Sequence, residues 1–287
     1  MELNRRTFIA NTAKAALILS TPLSVFAKAP ITVGGVMDLC MKGVSVGSDT
    51  VDTLKAGNRD IVVTGIVTSM FATIEIIKKA IALNANFIIA HEPTFYNHQD
   101  NTQWLEKDDV YRYKADLLKQ HNIAVWRNHD FIHHMQPDGI RKGLVDQLGW
   151  QQYEESNHVI YNLSLSLKEL ISHLKEKLNI PAVRYIGNPD QSCKRVLLLP
   201  GAYGGTRQIQ GISEYKPDVL VCGEISEWET AEYVRDARAA GRQLSLVVLG
   251  HIASEEPGSE FLAKWLKDKL PAIKTTHIPT GNSLSFM

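Results

Sequence analysis

The chain lacks the features that mark several familiar functional classes. Its three cysteines, Cys40, Cys193 and Cys222, show no C-x-x-C spacing and are odd in number, so the sequence announces neither a disulfide framework nor a thiolate metal knuckle. They read as buried thiols. Neither sign of charge dominates, because Lys+Arg and Asp+Glu both count 31. That leaves no basic field to attract nucleic acid, and no nucleic-acid partner is expected. No interior run is long and apolar enough to span a bilayer. No glycine-rich loop carries the Lys-Ser/Thr ending of a Walker phosphate site. No Pro/Gly/Ser linker or low-complexity tract interrupts the chain. With 287 residues and 44% hydrophobic content, it suits one large domain or two coupled lobes with a core that needs no disulfide support.

What is present begins with a targeting pattern. Asn4-Arg5-Arg6-Thr7-Phe8-Ile9 precedes a mildly apolar stretch from Ala15 through Leu23, followed by Val25-Phe26-Ala27. Paired arginines, a nearby aromatic and a modest apolar region look like a twin-arginine export signal over residues 1–27, with cleavage expected after Ala27. The competing reading is a docked N-terminal helix. Removing that segment takes away Arg5, Arg6 and Lys14 against one anion, Glu2, which leaves a net charge of −2. The expected location is the periplasm, reached already folded, with no stable membrane insertion afterwards.

Beyond it the sequence alternates strand and helix signals. Asp60–Val67 is β-branched and nearly continuous, as a buried parallel strand should be. Residues 72–84 place Ile74, Ile77 and Ile81 on one face and Glu75, Lys78 and Lys79 on the other, the pattern of an amphipathic helix. Phe87–Ala90 reads as the next strand and runs into His91-Glu92-Pro93, giving a β-α-β unit with a right-handed crossover. A helix near Asp109–Gln120 leads to a strand at Ile123–Arg127, which runs into Asn128-His129-Asp130-Phe131-Ile132-His133-His134. After a polar stretch at 151–158, Ser166-x-x-Glu169 reads as a capping box for a helix over Leu167–Leu178. Strands are expected at Arg195–Leu199, Asp218–Cys222 and Leu244–Leu249. Helices are expected over Glu229–Ala240 and near Pro257–Leu270. Phe87–Glu92 and Val219–Glu224 echo one another, each an apolar run closing on Glu.

Ligands of open α/β sheets bind beyond the carboxyl ends of strands. Three expected strand ends carry suitable groups: His91 with Glu92; His129, Asp130, His133 and His134; and His251 with Glu255, four positions apart and able to share one side. Such donors suit zinc, manganese, iron or nickel rather than calcium. Each cluster alone also reads as ordinary hydrogen bonding or solvated loop; three at three strand ends point to a metal site. Ser254 is placed to cap the last helix. Tyr203 and Trp228 are candidates to stack on a ring, or to pack as ordinary strand-end residues.

The segment Ala85-Asn86-Phe87-Ile88-Ile89-Ala90-His91-Glu92-Pro93 resembles the double-histidine motif of the GTP cyclohydrolase I type-two-like family, the Ngg-interacting-factor-three family. Gly250-His251-Ile252-Ala253-Ser254-Glu255, continued by Pro257-Gly258 and Trp265-Leu266, resembles that family's closing motif. Val196–Gly205 and Asp218–Glu224 resemble two segments between them. The resemblance spans roughly residues 50 to 287. It implies an α/β fold of two α/β/α lobes related by possible internal duplication. The first lobe would take 28–145 plus 246–287 and the second 146–245, with two divalent metal ions in the cleft between them. It also implies a homo-oligomer, hexameric in the family.

Carried over residue by residue, His91, His251 and Glu255 match family ligands. The family's second histidine is Glu92 here, and its aspartate is His133. The exchange conserves three histidines and two carboxylates, so the implied set is His91, Glu92, His133, His251 and Glu255. Two other outcomes stay open: Asp130 as the carboxylate ligand with Glu92 behind a histidine, or a dead site. A carboxylate not bound to metal, Glu92 or Asp130, is the expected general base. The expected function is a metal-dependent hydrolase of a small molecule; the alternative is a non-catalytic metal-binding or partner-binding protein. GTP itself is not expected as substrate, because an exported protein meets little of it.

Overall fold

The computed structural model describes residues 30–285 and Met287; the expected export signal over residues 1–27 lies outside the described residues. Ten strands follow in chain order: β1 (Leu54–Ala56), β2 (Ile66–Ser69), β3 (Phe87–Ala90), β4 (Ala124–Arg127), β5 (Ile160–Ser166), β6 (Arg184–Ile186), β7 (Ser192–Leu199), β8 (Val219–Cys222), β9 (Ser245–Val248) and β10 (Thr275–His277). The helices are α1 (Val33–Met41), α2 (Ile74–Ala82), α3 (Asp109–Gln120), α4 (Asp130–His134), α5 (Gly139–Leu148), α6 (Leu167–Leu178), α7 (Gly205–Tyr215), α8 (Glu232–Ala239) and α9 (His251–Lys269). Among the described residues, no helix is long and apolar enough to cross a membrane.

The strands form two five-stranded sheets, in the orders β1-β4-β3-β2-β10 and β5-β7-β8-β9-β6. In the first, β10, β2, β3 and β4 run parallel and only β1 is antiparallel. In the second, β7, β8 and β9 run parallel between antiparallel β5 and β6. Each sheet is covered on both faces, so the expected pair of α/β/α lobes is what the chain forms. In β3, Phe87 and Ile89 face the layer of α1 and α9, while Ile88 and Ala90 face that of α2 and α3. In β8, Val219 and Val221 meet α5 and α6, while Leu220 and Cys222 meet α7 and α8. Alternation of period two within fully apolar strands is what a doubly covered parallel sheet demands. The two echoed segments supply β3 and β8, the central strand of each sheet.

The lobes are tied by α5, whose Ile140 packs in the first core and whose Leu144, Val145 and Leu148 pack in the second. Asp138 opens this helix by accepting from the Ile140 and Arg141 amides, and Gly149 closes it with φ at +70°. The expected lobe division between 245 and 246 falls inside β9, every residue of which lies in the second sheet. The chain returns to the first lobe only with α9 and β10.

Local signals placed several elements. Thr73 caps α2 and Asp108 caps α3 through backbone amides three positions on. Ser166 and Glu169 form the expected reciprocal capping box. Three expectations need correction. The run at 60–67 is not one strand: the Thr64 amide donates to Asn86 Oδ1 and its hydroxyl donates to Asn84 O, which leaves only Ile66 onward in the ladder. The last helix starts at His251, not near Pro257, so Ser254 lies inside it instead of capping it. The expected helix over 229–240 opens with a π-turn, Glu227–Ala231, before α8. All three cysteines are buried free thiols, as read.

Candidate metal centre

The C-terminal ends of β3, β4, β8 and β9 converge. β3 delivers His91 and Glu92, both buried. β4 delivers Asn128 and then the turn into α4, which carries His129, Asp130 and His133. That turn is fixed by Asp52, whose carboxylate accepts from the amides of His129, Asp130 and Phe131 at 2.8, 3.0 and 2.8 Å. One side chain thereby satisfies three of the orphan donors at a helix start. β8 delivers Glu224. β9 delivers Gly250 and His251, and the first turn of α9 brings Glu255 back beneath His251.

The donor atoms gather in two overlapping groups. His91, His129 and His133 offer ring nitrogens, and His91, Glu92 and Glu255 offer ligand atoms, each group lying within 4.8 Å of one another. His251 Nε2 joins the second group, 3.2 Å from Glu92 Oε1 and 2.8 Å from Glu255 Oε2. The His91 and His129 rings stack at 4.7 Å between centroids, and His133 stands edge-on to both at 5.2 and 5.0 Å.

Four histidines share one arrangement. His91 Nδ1 lies 3.2 Å from Asn128 O, His129 Nδ1 2.9 Å from Asp130 Oδ1, His133 Nδ1 3.1 Å from Asp138 Oδ2, and His251 Nδ1 3.1 Å from Glu224 Oε1. An acceptor at Nδ1 fixes the proton there and turns the Nε2 lone pair inward, the usual arrangement behind metal-binding imidazoles. His91 Nε2 is buried without a hydrogen-bond partner, 3.5 Å from Glu255 Oε2. A bare buried ring nitrogen is costly, and a metal ion would satisfy it.

The electrostatics agree. Burial opposes a charge on His251, yet hydrogen bonds to Glu224, Glu255 and Glu92 outweigh it and push the imidazole up to about 12. Burial would raise Glu92, but His251 and His91 pull it down to about 2. Glu255 is also lowered against its burial, by His251 and His91. Without an ion, then, a proton on His251 sits among carboxylates; a divalent cation is the group this charge pattern favours. His129 is pushed down to about 4, first by burial and then by the charge of His91, which keeps it a neutral donor.

Surrounding groups hold the donors. Arg127, fully buried, donates from Nε to His91 O at 3.3 Å and from Nη2 to Glu92 Oε2 at 3.4 Å. Gly201, at φ +72°, leaves room for Glu255: a Cβ there would sit 2.1 Å from Glu255 Oε1. The Gly201 amide donates to Ser254 Oγ at 2.9 Å, which is the role Ser254 has in place of a cap.

The expected ligands His91, Glu92, His133, His251 and Glu255 are thus all at the cluster. Asp130 is not: its Oδ2 accepts from Thr50 Oγ1 and the Val51 amide, and its Oδ1 holds His129. It positions a donor and is tied up on both oxygens. His134 turns away, its Nδ1 on Asp130 O. His129 stands among the strand-end donors that the sequence offers but not in the set implied by the resemblance, and neither gives a role to Asp138 or Asp52. Glu224 closes both the echo and the family-like segment Asp218–Glu224, and its hold on His251 is legible only in the fold. Trp228 is 79% exposed on the π-turn, while Tyr203 packs on the second core with its hydroxyl 3.2 Å from Arg141 Nη2.

A model of the Duf34/NIF3 (NGG1p interacting factor 3) family matches residues 41–282. The chain belongs to this family. Among its Duf34/NIF3 relatives is a GTP cyclohydrolase 1 type 2 homolog of Clostridium acetobutylicum, 23% identical over 230 residues that cover 76% of this chain and 81% of the relative. Another, from Chlamydia pneumoniae, is 24% identical and covers 80% and 89%. The solved structure of a Bacillus cereus protein related to NIF3 has a TM-score of 0.73 at 16% identity, covering 90% of this chain and 99% of that one. A Staphylococcus aureus hypothetical protein gives 0.72 at 21% identity over the same shares. These likenesses establish the Duf34/NIF3 fold of two lobes.

Proposed function

We propose that the protein is a dinuclear metal-binding protein acting as a metal-dependent hydrolase on a small molecule. The observation that carries this reading is the set of four histidines with anchored Nδ1 atoms around two buried carboxylates. Divalent ions such as zinc, manganese, iron or nickel would supply Lewis acidity and lower the pKa of a water at the site. His91, Glu92, His129, His133, His251 and Glu255 are the residues to hold them. Arg127 orients Glu92, while Asp130 and Asp138 orient His129 and His133. Glu224 holds His251 with one oxygen, and its side chain is 55% exposed at the mouth. Its pKa is lowered, first by the His251 hydrogen bond, so it is an ionised carboxylate open to solvent and suited to accept a proton from water. That role suits it better than Glu92 or Asp130, whose oxygens are engaged.

The relatives' name does not make GTP the favoured substrate. The glycine-rich turn before α7 resembles a phosphate cradle, but the Glu229 carboxylate fills the approach to Gly205, where a Cβ would meet Oε2 at 2.2 Å. A fixed anion there opposes a phosphate at the helix start. Export to the periplasm rests on the Arg5-Arg6 pattern and tests by fractionation with and without Arg5→Lys/Arg6→Lys. Assembly into a homo-oligomer rests on family membership and tests by sedimentation.

The function tests directly. The untagged protein is stripped with chelator, reloaded with zinc or manganese, and assayed on a panel of small cyclic amides, esters and phosphoesters that includes GTP. We expect turnover of a panel member other than GTP in the reloaded protein, none in the stripped protein, and a fall in kcat in Glu224→Gln that persists at saturating metal. Full metal occupancy with no turnover would sink the hydrolase and leave the non-catalytic metal-binding role.

A further inference from the structure

The six donors do not divide evenly by type, and their division has a chemical consequence. His91 belongs to both groups within 4.8 Å. Its Nδ1 is committed to Asn128 O, so it has one inward lone pair, on Nε2, and one lone pair serves one ion. If that ion were the one held by Glu92 and Glu255, His251 would join them and His129 with His133 would be left as a two-donor remnant. If it is the ion held by His129 and His133, each position receives three donors. The ring packing favours this division, because His91, His129 and His133 lie against one another in pairs. His251 is already bound to both Glu92 and Glu255 and to neither of those rings.

We propose that the site is built for two unlike ions, an imidazole-preferring metal such as zinc on His91, His129 and His133, and a harder, oxygen-preferring metal such as manganese on Glu92, Glu255 and His251. The proposal rests on the preceding reading that the cluster holds two metals. Three neutral imidazoles leave a dication its full charge, whereas two carboxylates neutralise it. Donor type and charge are how proteins sort ions that raw affinity would not. His133 is what makes the first position all-histidine, and Glu92 is what makes the second carboxylate-rich. Those are the two places where the sequence departs from the family pattern.

The test uses untagged, full-length protein stripped of metal, given one equivalent of zinc and an excess of manganese, desalted, and measured by elemental analysis. Wild type should retain one zinc and one manganese per chain. Glu255→Gln should keep the zinc and lose the manganese. Glu92→Gln should do the same and serves should Glu255→Gln fail to fold, as judged by circular dichroism. His133→Asp should keep two ions while losing its preference for zinc over manganese. Zinc lost together with manganese from the folded glutamate variants would overturn the proposal. So would zinc without manganese in the wild type, or an unchanged zinc preference in His133→Asp. Wild type that binds neither ion would instead overturn the metal-binding reading on which the proposal stands.

Discussion

In the first lobe the central strand ends in His91-Glu92; in the second it ends in Gly223-Glu224. The two sheets share size and central parallel strands, yet they equip the same strand-end position differently. The first lobe places buried donors there. The second places glycines and one half-exposed acid: a Cβ on Gly223 would meet the Gly201 amide and Ser254 Oγ, each at 2.5 Å. One lobe supplies most of the donors, and the other supplies space, through Gly201, together with the groups that aim His251. Strand-end geometry therefore sets where the donors gather, and the residues after each strand set how many of them each half contributes.

Substituting within the second lobe's glycines breaks this division most strongly. Gly201→Ala combines a left-handed backbone with a clash on Glu255, whereas Gly204→Ala has a similar φ of +78° with nothing within 4 Å. We expect Gly201→Ala to lower stability by about 1–3 kcal/mol or more and to lose metal. Gly204→Ala should cost only about 1 kcal/mol and leave metal content unchanged. Thermal melts with elemental analysis read both. Next come the residues behind the histidines. Asp130→Asn and Asp138→Asn in the first lobe and Glu224→Gln in the second should each weaken metal affinity by roughly 10–100-fold, measured by competition with a chelator. If the first-lobe pair has no effect, the comparison fails.

A smaller effect separates the lobes by pH. In metal-free protein the Glu92 carboxyl is held near 2, below its ordinary 4.5. A depressed acid contributes stability that is fully present above about 4.5 and is lost as the pH falls through that interval toward 2. Denaturant midpoints of stripped wild type should fall between those values, and Glu92→Gln should flatten that part of the profile. The smallest effect concerns the thiols. Burial pushes Cys40 and Cys222 up to about 12 and Cys193 up to about 11. None should alkylate in native protein at pH 8, and all three should react once it is unfolded.

What the sequence shows is what short-range chemistry decides. β3, α3 and α6 fall on their expected residues because apolar period, an Asp or Ser cap and a capping box all lie within the element. The start of α9 is not legible in the sequence because Pro257 reads as an opening residue, whereas the chain turns into the helix at Gly250, φ +95°, two residues past β9. The short edge strand β6 carries no apolar alternation and pairs only because β9 lies beside it. At the site, strand-end position and residue type point to three donor clusters, and the five donors that the family resemblance selects from them are ones the fold does bring together. Of the strand-end pair His129 and Asp130, only His129 faces the cluster, because Thr50, Val51 and Asp52, nearly 80 residues earlier, take up Asp130 and fix the turn.

The central claim is a pair of metal ions held between the two lobes, and His251 is the residue on which donors from both converge. The most direct measurement is metal content per chain, by elemental analysis, of untagged wild type beside His251→Ala. Two equivalents are expected in the wild type, and the loss of at least one in the variant. Wild type without metal, or a variant with its metal content unchanged, would contradict that claim.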